Sequence, residues 1–289
     1  MKKVFLTVDL EEWYDLDYLK DFDLEDSGVE AIPRIIDFLD MLDELEVRAT
    51  FFVLARHAER NADIIRELVR RGHEVACHGL DHRLLYEKSD GEFFVELAKA
   101  RRILELVART PIRGYRASCF SMDRGKLELL RKAGFLYDSS KISFAQHPLY
   151  RNLDLAGFEK LEDLVYRNGD FLEFEIPTLE LSGYSLPISG GGYLRLFPLF
   201  LLRLLIKRYE LRHENFLIYV HPFELTDIRL PLPKDLGALS RFRCLVGRRS
   251  NLRKLKKLIA LLKSGGAEFR TLNDEIEARL TCAKGGVPA

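Results

Sequence analysis

Two histidines four residues apart, His78 and His82 in the run His78-Gly79-Leu80-Asp81-His82, stand where a strand pattern gives way to a loop. Neutral imidazole is the commonest protein metal ligand, and side chains at i and i+4 project to the same side of a helical turn. Such a pair needs one or two further donors to hold a divalent ion with a coordination position left open. In a chain with seven histidines the spacing also arises by chance, so the pair alone does not decide for a metal. Further donors come from the start of the chain. Val4-Phe5-Leu6-Thr7-Val8-Asp9 is a β-branched and aromatic run that leads into Leu10-Glu11-Glu12-Trp13. Strand alternation puts Asp9 and Glu11 on one face and turns Glu12 away. Two carboxylates at the carboxyl end of a buried strand are costly to desolvate unless a cation or a proton-transfer task offsets that cost. The alternative reading is a solvated acidic loop, since Asp15, Asp17, Asp21 and Asp23 follow closely.

The elements that must position these residues alternate along the chain. Strands are expected near 3–9, 48–53, 73–77, 112–117, 135–139, 171–176, 215–220 and 267–271. Helices fit between them: one opens near Pro33 and runs through Met41-Leu42, one spans Asn61 to Arg71 and stops at Gly72, one follows Ser89-Asp90 to Val107, and one covers Asp123 to Ala133 before Gly134. This alternation predicts parallel strands with crossover helices, and seven or eight units in one chain fit a closed barrel better than an open sheet. Active sites of such barrels lie where strands end and the following loops begin. Those ends carry Asp9 and Glu11, His78 and His82, Arg116, Asp138 and His221, so distant segments are expected to converge on one mouth.

Composition removes several function classes. The 289 residues are 47% apolar, enough for a sizeable core, and 45 basic against 45 acidic residues give no global attraction to nucleic acid or an anionic membrane. Cys77, Cys119, Cys244 and Cys282 are scattered without a CxxC pair, which speaks against a zinc knuckle or a disulfide framework; Cys77 and Cys119 read as small core residues. The apolar run after Met1-Lys2-Lys3 ends at Asp9, too short for a signal segment, and a cytoplasmic location is the expectation. Leu194 to Ile206, broken by Arg195 and Arg203, falls short of a membrane span and reads as an amphipathic or buried helix, with peripheral membrane contact the less favoured alternative. With no repeat or linker in view, residues 1–280 are expected to form a single catalytic domain, and 281–289 a flexible tail.

Five motifs in order give the chain a resemblance to the polysaccharide deacetylases of the NodB-homology type, carbohydrate esterase family four. Thr7-Val8-Asp9-Leu10-Glu11 is similar to the family's first acidic motif, His78 to His82 to its H-x-x-x-H motif, and Gly114-Tyr115-Arg116-Ala117-Ser118 to its arginine motif. Tyr137-Asp138-Ser139-Ser140 and Tyr219-Val220-His221-Pro222 resemble the last two. The stretch Ser189 to Arg195, with the later His-Pro-Phe-Glu, further resembles the subgroup found beside exopolysaccharide and exosortase-type loci. The resemblance implies an α/β fold, a distorted, TIM-like (β/α)7–8 barrel, with Asp9 as general base and Glu11, His78 and His82 as ligands of one divalent ion, zinc with cobalt or nickel able to substitute. It also implies a carbohydrate substrate. Two departures stand out: Glu11 replaces an aspartate adjacent to the base, and Ser118 replaces a proline that often follows the arginine motif.

The residue types support a definite chemistry. A Lewis-acid metal polarises an amide carbonyl and lowers the pKa of water towards ~7, Asp9 takes the proton, and backbone N–H groups near Ala117 to Phe120 stabilise the oxyanion. His221 is the acid that protonates the departing amine, Asp138 is expected to hold it charged and oriented, and Arg116 to pair with Asp9 and fix its angle. Each has a plainer alternative: a strand-end histidine, a turn-forming aspartate, a structural ion pair. His57, His147 and His213 read as structural or surface residues, His73 as a core histidine, and Gly190-Gly191-Gly192 as a lid or sugar-contact loop. The expected activity is N-deacetylation of an amino-sugar polymer or lipid-linked precursor; its rivals are hydrolysis of small cyclic ureides and carbohydrate binding without turnover.

Overall fold

Strand β1 (Lys3–Leu10) is buried on both faces from Val4 onward, which only a central parallel strand covered on both sides can be. In this computed structural model, which describes residues 1–144, 149–181 and 183–285, it is also the most heavily paired strand. Parallel to it run β2 (Thr50–Val53), β3 (Glu74–Cys77), β4 (Gly114–Tyr115) and β5 (Tyr137–Asp138). After β6 (Glu159–Glu162), β7 (Val165–Asn168) and β8 (Phe171–Phe174), the hairpin β9 (Thr178–Leu181) and β10 (Tyr184–Pro187) forms its own small sheet. Strands β11 (Asn215–Val220) and β12 (Glu268–Arg270) return to β1. The main sheet has the order β11-β1-β2-β3-β4-β5-β8-β7-β6, with β12 paired to the start of β1.

All eight expected strands form. The β6–β7 hairpin continues β8 in antiparallel fashion and was not foreseen, because Glu159-Lys160-Leu161-Glu162 lies on a half-exposed edge and carries no clean alternation. The fold is α/β with a central mixed sheet, and it has the form of a distorted barrel. Among the described residues no ladder joins β6 to β11. The gap is spanned by the turn after β6, where Asp163 accepts from Glu214 N (2.9 Å) and Asn215 Nδ2 (3.1 Å), and by Lys3 Nζ to Glu162 (2.8 Å).

Among the described residues ten α-helices accompany this sheet: α1 (Ile36–Glu44), α2 (Ala62–Arg70), α3 (Asp90–Ala108), α4 (Arg124–Lys132), α5 (Gly191–Leu196), α6 (Leu199–Glu210), α7 (Pro222–Leu225), α8 (Ala238–Leu245), α9 (Arg248–Ser264) and α10 (Leu272–Gly285). Ser89 and Asp123 cap α3 and α4 by accepting from Glu92 N and Lys126 N. The apolar stretch read as one helix is two, α5 and α6, parted at Pro198, which has no N–H to continue a ladder. The expected tail is corrected in part: 281–285 continue α10, and 286–289 lie outside the described residues. No helix among the described residues is long and apolar enough to cross a membrane.

The histidines without motifs divide. His57 is buried with Nε2 2.6 Å from Asp15 Oδ2, His213 stacks on Tyr209, and His147 lies outside the described residues. His73 is a core residue whose Nδ1 accepts from Ala49 N (3.2 Å), and burial pushes its pKa down to about 4. Since the folded state holds this imidazole neutral, its contribution is complete above the ordinary histidine value and is lost as pH falls towards 4. Urea denaturation between pH 6.5 and 4 should show a loss of stability on the order of 3 kcal/mol that His73→Leu abolishes. Equal slopes for both proteins would assign the acid sensitivity elsewhere.

Candidate active site

The carboxyl end of β1 delivers two acids into one cavity. Asp9 is still within the strand, and Glu11 N donates to Asp9 O (3.0 Å), a tight turn that brings the Glu11 side chain back beside it. Strand β3 hands over to a loop, not a helical turn, so His78 and His82 meet through chain reversal at Gly79. Gly79 has φ +103°, and a Cβ there would sit 3.2 Å from Asp81 O, so glycine is required. Glu11, His78 and His82 each offer one ligand atom, and those atoms all lie within 4.8 Å of one another. His78 Nδ1 is bonded to Arg116 O (2.8 Å), which aims its Nε2 at Glu11.

This cluster fits a cation. Glu11 Oε2 is buried and makes no hydrogen bond, although His78 Nε2 and His82 Nε2 stand 3.5 and 2.9 Å away. A hard carboxylate oxygen and two imidazole nitrogens gathered without mutual hydrogen bonds form the donor set of a divalent transition ion. Burial would raise the Glu11 pKa, but His82, His78 and His221 outweigh it and hold it well below the ordinary range. His82 is shifted up: burial opposes its charge, and Glu11 prevails. Glu12 is turned away, accepting from Ala31 N (2.7 Å) and Ile32 N (2.9 Å) to tie down the following loop. Of the acidic loop, Asp15 is buried against His57 and only Asp21 and Asp23 are fully exposed.

Arg116, completely buried, follows β4 and crosses beneath the cavity. Its Nη1 donates to Asp9 Oδ1 (2.7 Å) and Thr7 Oγ1 (2.9 Å), while Nε and Nη2 donate to the backbone and hydroxyl of Ser139 (3.0 and 2.9 Å). The guanidinium lies over the Phe52 ring at 4.1 Å, so its flat face is covered by an aromatic ring while its edge makes the four hydrogen bonds. The loop beyond turns through left-handed conformations at Cys119 (φ 48°) and Phe120 (φ 52°). Ala117 N is taken by Ser140 Oγ and Phe120 N by Ala117 O, whereas Ser118 N and Cys119 N find no acceptor among the described residues.

His221, at the end of β11, brings its Nε2 to 3.9 Å from Asp9 Oδ2 and 3.7 Å from Glu11 Oε1. Its partner is not the expected one. Nδ1 faces Glu224 Oε2 at 3.2 Å, and Arg195 Nε donates to Glu224 Oε1 (2.8 Å), with both side chains buried. Burial opposes charge on His221, but Glu224, aided by Glu11 and Asp9, lifts its pKa to about 9. Asp138 makes no ion pair with His221. It receives Ser140 Oγ (2.8 Å) and stands opposite Glu173 in the β5–β8 register, both fully buried. Burial raises Asp138 to about 7, and burial plus Asp138 raises Glu173 further, so the two carboxyls hold one proton between them. Glu173 Oε1 accepts from Ser140 N and Lys141 N, making the pair a brace behind the Arg116 loop.

Glu224, Arg195, Glu173, Thr7 and the two serines were missed as site residues. Glu224 carried a signal: three residues after His221 and just past Pro222, it sits where a capping carboxylate reaches back, and it accepts from His221 N at 3.0 Å. The glycine run is not a free lid. Gly190 pairs with Tyr219 of β11, where a Cβ would come within 2.1 Å of Tyr219 O.

Comparison with known proteins agrees with this geometry. Residues 25–137 match the family of polysaccharide deacetylases, and residues 145–274 match a domain of unknown function, DUF3473. A peptidoglycan-N-acetylglucosamine deacetylase of Bacillus cereus is 31% identical over 80 residues, 28% of this chain and 28% of the relative. A chitooligosaccharide deacetylase of a Bradyrhizobium species is 37% identical over 68 residues, 24% of this chain and 31% of the relative. The matches thus span less than a third of these relatives' length. Among solved structures, a putative polysaccharide deacetylase from Mycobacterium smegmatis aligns with TM-score 0.58 at 20% identity, covering 98% of this chain and 92% of that one. An allantoinase aligns with TM-score 0.59 at 17% identity over 95% and 89%. A pseudoenzyme of carbohydrate esterase family four from Bacillus anthracis aligns with TM-score 0.55 at 16% identity over 95% and 65%. At such identities the structural likeness shows the fold. The chain carries a polysaccharide deacetylase domain of the NodB-homology type, carbohydrate esterase family four. Asp9 and Glu11 precede the matched stretch, His78, His82 and Arg116 fall inside it, and His221 and Glu224 belong to the second match.

If the Glu11 cluster is a metal site, calorimetric titration of metal-stripped protein with zinc should saturate near one ion per chain and raise the melting temperature. His82→Ala should abolish both effects; an unchanged stoichiometry in that variant would defeat the assignment.

Proposed function

We propose that the chain is a metal-dependent N-deacetylase acting on an amino-sugar polymer or its lipid-linked precursor, with residues 1–280 working as one catalytic unit. The observation that carries this reading is the meeting, at one cavity, of an arginine-held aspartate, a Glu-His-His donor set and a glutamate-backed histidine. The first could serve as base, the second as cation site, the third as acid, and removing an acetyl group from nitrogen needs all three.

Glu11, His78 and His82 would hold one divalent ion, zinc being the best match to two imidazoles and a carboxylate. When bound, it supplies Lewis-acid polarisation of the amide oxygen and makes water acidic enough to be deprotonated near neutral pH. Asp9 accepts the proton of the attacking water, its free oxygen aimed by the bond that Arg116 makes to the other. As the carbonyl becomes tetrahedral, Ser118 N and Cys119 N are placed to donate to the oxyanion. His221, charged through Glu224, then gives its proton to the leaving nitrogen, and the carbon–nitrogen bond breaks to acetate and free amine. A cavity of about 590 Å³ beside His82, lined by charged side chains such as Asp15, Asp17, Lys20 and Arg56 and by Phe22 and Leu24, suits neighbouring sugar rings with their hydroxyl edges and apolar faces.

Two measurements test the roles. Asp9→Asn should keep metal and fold yet slow acetate release from N-acetylglucosamine oligomers by about 10²–10⁴-fold. Wild-type rates would overturn the base assignment, ring opening of a cyclic ureide in place of acetate release would move the substrate class, and saturable oligosaccharide retention with no turnover would make the chain a binder. Glu224→Gln removes the largest charge favouring protonated His221, so the alkaline limb of the kcat/KM profile should move to lower pH. Asp138→Asn should leave that limb in place.

A further inference from the structure

Helix α6 is apolar on two opposite sides. Leu202, Ile206 and Tyr209 face the core, while Phe200, Leu204 and Leu211 are 73, 63 and 77% exposed. At 100° per residue these three, Leu211 being the C-cap, fall within a narrow arc, an apolar stripe open to solvent that Lys207 interrupts. Arg203, Lys207 and Arg208 are exposed alongside it, and none has an acidic partner among the described residues. Helix α8 repeats the arrangement with Leu239, Phe242 and Leu245 exposed. Helix α5, which precedes α6 across Phe197 and Pro198, meets the end of α8 where Arg195 Nη1 donates to Val246 O (3.0 Å) and Gly247 closes on the Arg195 backbone, which places exposed Leu196 beside the end of α8.

Charge around these stripes is mostly positive, with Glu210 at the end of α6 and Asp227 in the wall beside α8 as the exceptions. Between Asp235 and Glu268 the sequence contains no acidic residue but nine lysines and arginines, in a chain whose total is balanced. A cavity of about 1040 Å³ opens at Leu245 with Arg229, Arg241, Arg249 and Ser250 in its wall. Exposed leucines and phenylalanines ringed by unpaired cations are the composition of helices that lie in the headgroup layer, where apolar side chains enter the acyl boundary and cations meet lipid phosphates. A second copy of the chain would bring the same unpaired cations against each other, which disfavours it as the occupant.

We propose that the exposed faces of α6 and α8 dock on an anionic lipid bilayer. The surface lies one residue from the site's own framework, since Leu196 follows the Arg195 that backs Glu224 and His221. Docking therefore sets the cavity at a fixed distance from the membrane.

The full chain should float with vesicles of equal parts phosphatidylcholine and phosphatidylglycerol, and bind pure phosphatidylcholine vesicles at least about tenfold more weakly. The double variant Phe200→Gln, Leu204→Gln should lose at least about tenfold in binding to the mixed vesicles while keeping its melting temperature and its rate on soluble oligosaccharide. Arg203→Glu with Arg208→Glu should weaken binding and flatten its dependence on salt. Unaltered flotation of these variants would overturn the proposal. So would a wild-type protein that ignores both vesicles but sediments as a dimer that the apolar double variant converts to monomer, a result that assigns the face to a second copy.

Discussion

A buried guanidinium must find its partners within the protein, and Arg116 reaches four acceptors on two segments. Losing any one would leave a buried donor or charge unmet, at a cost of several kcal/mol. The requirement fixes where the partners stand. Thr7 and Asp9 are held on β1, Ser139 is held just beyond β5, and Thr7 in turn donates to Ile218 O of β11. Two further parts of the site are tied to this arrangement: His78 through the Arg116 carbonyl, and the Ser118–Cys119 amides through the loop that Arg116 begins.

Behind that frame the same economy appears in carboxyl groups. Asp138 and Glu173 sit opposite one another on neighbouring strands, and their mutual repulsion is relieved by a retained proton. The pair therefore serves as a brace with a single negative charge, where exposed copies of the same residues would carry two. Glu224 does the reverse: flanked by Arg195 and His221, it stays ionised in an equally buried place, its pKa drawn down to about 2 against the effect of burial. Acids of like burial are thus shifted in opposite directions because their neighbours differ.

Much of this was legible in the sequence. Parallel strands buried on both faces announce themselves as apolar runs such as Val4 to Val8, and helix starts and stops at Ser89, Asp123, Gly72 and Gly134 follow from backbone chemistry that one residue can carry. The alternation that put Asp9 and Glu11 on one side and Glu12 on the other agrees with where the three side chains lie. What failed was pairing between segments. Asp138 is at a strand end like the others, and nothing in its neighbourhood says that the β8 residue across from it is a glutamate; that follows from register alone. The short polar hairpins were hidden for a related reason, since edge strands are stabilised by a neighbour and not by an apolar face of their own.

Strand β1 carries both acids of the cavity and is clasped by three parallel neighbours, β11 on one side and β2 and β12 on the other. Its geometry cannot drift without breaking those ladders together. The wall beside His82, in contrast, is built from the irregular segments 14–25 and 81–87, which are joined to the sheet only at their ends. Under the proposed function, chemistry and selection of substrate fall to parts of unequal stiffness. Insertions or exchanges in the wall can change which molecule is admitted while the reacting groups keep their positions, so that new preferences are open to such a chain without the loss of its reaction.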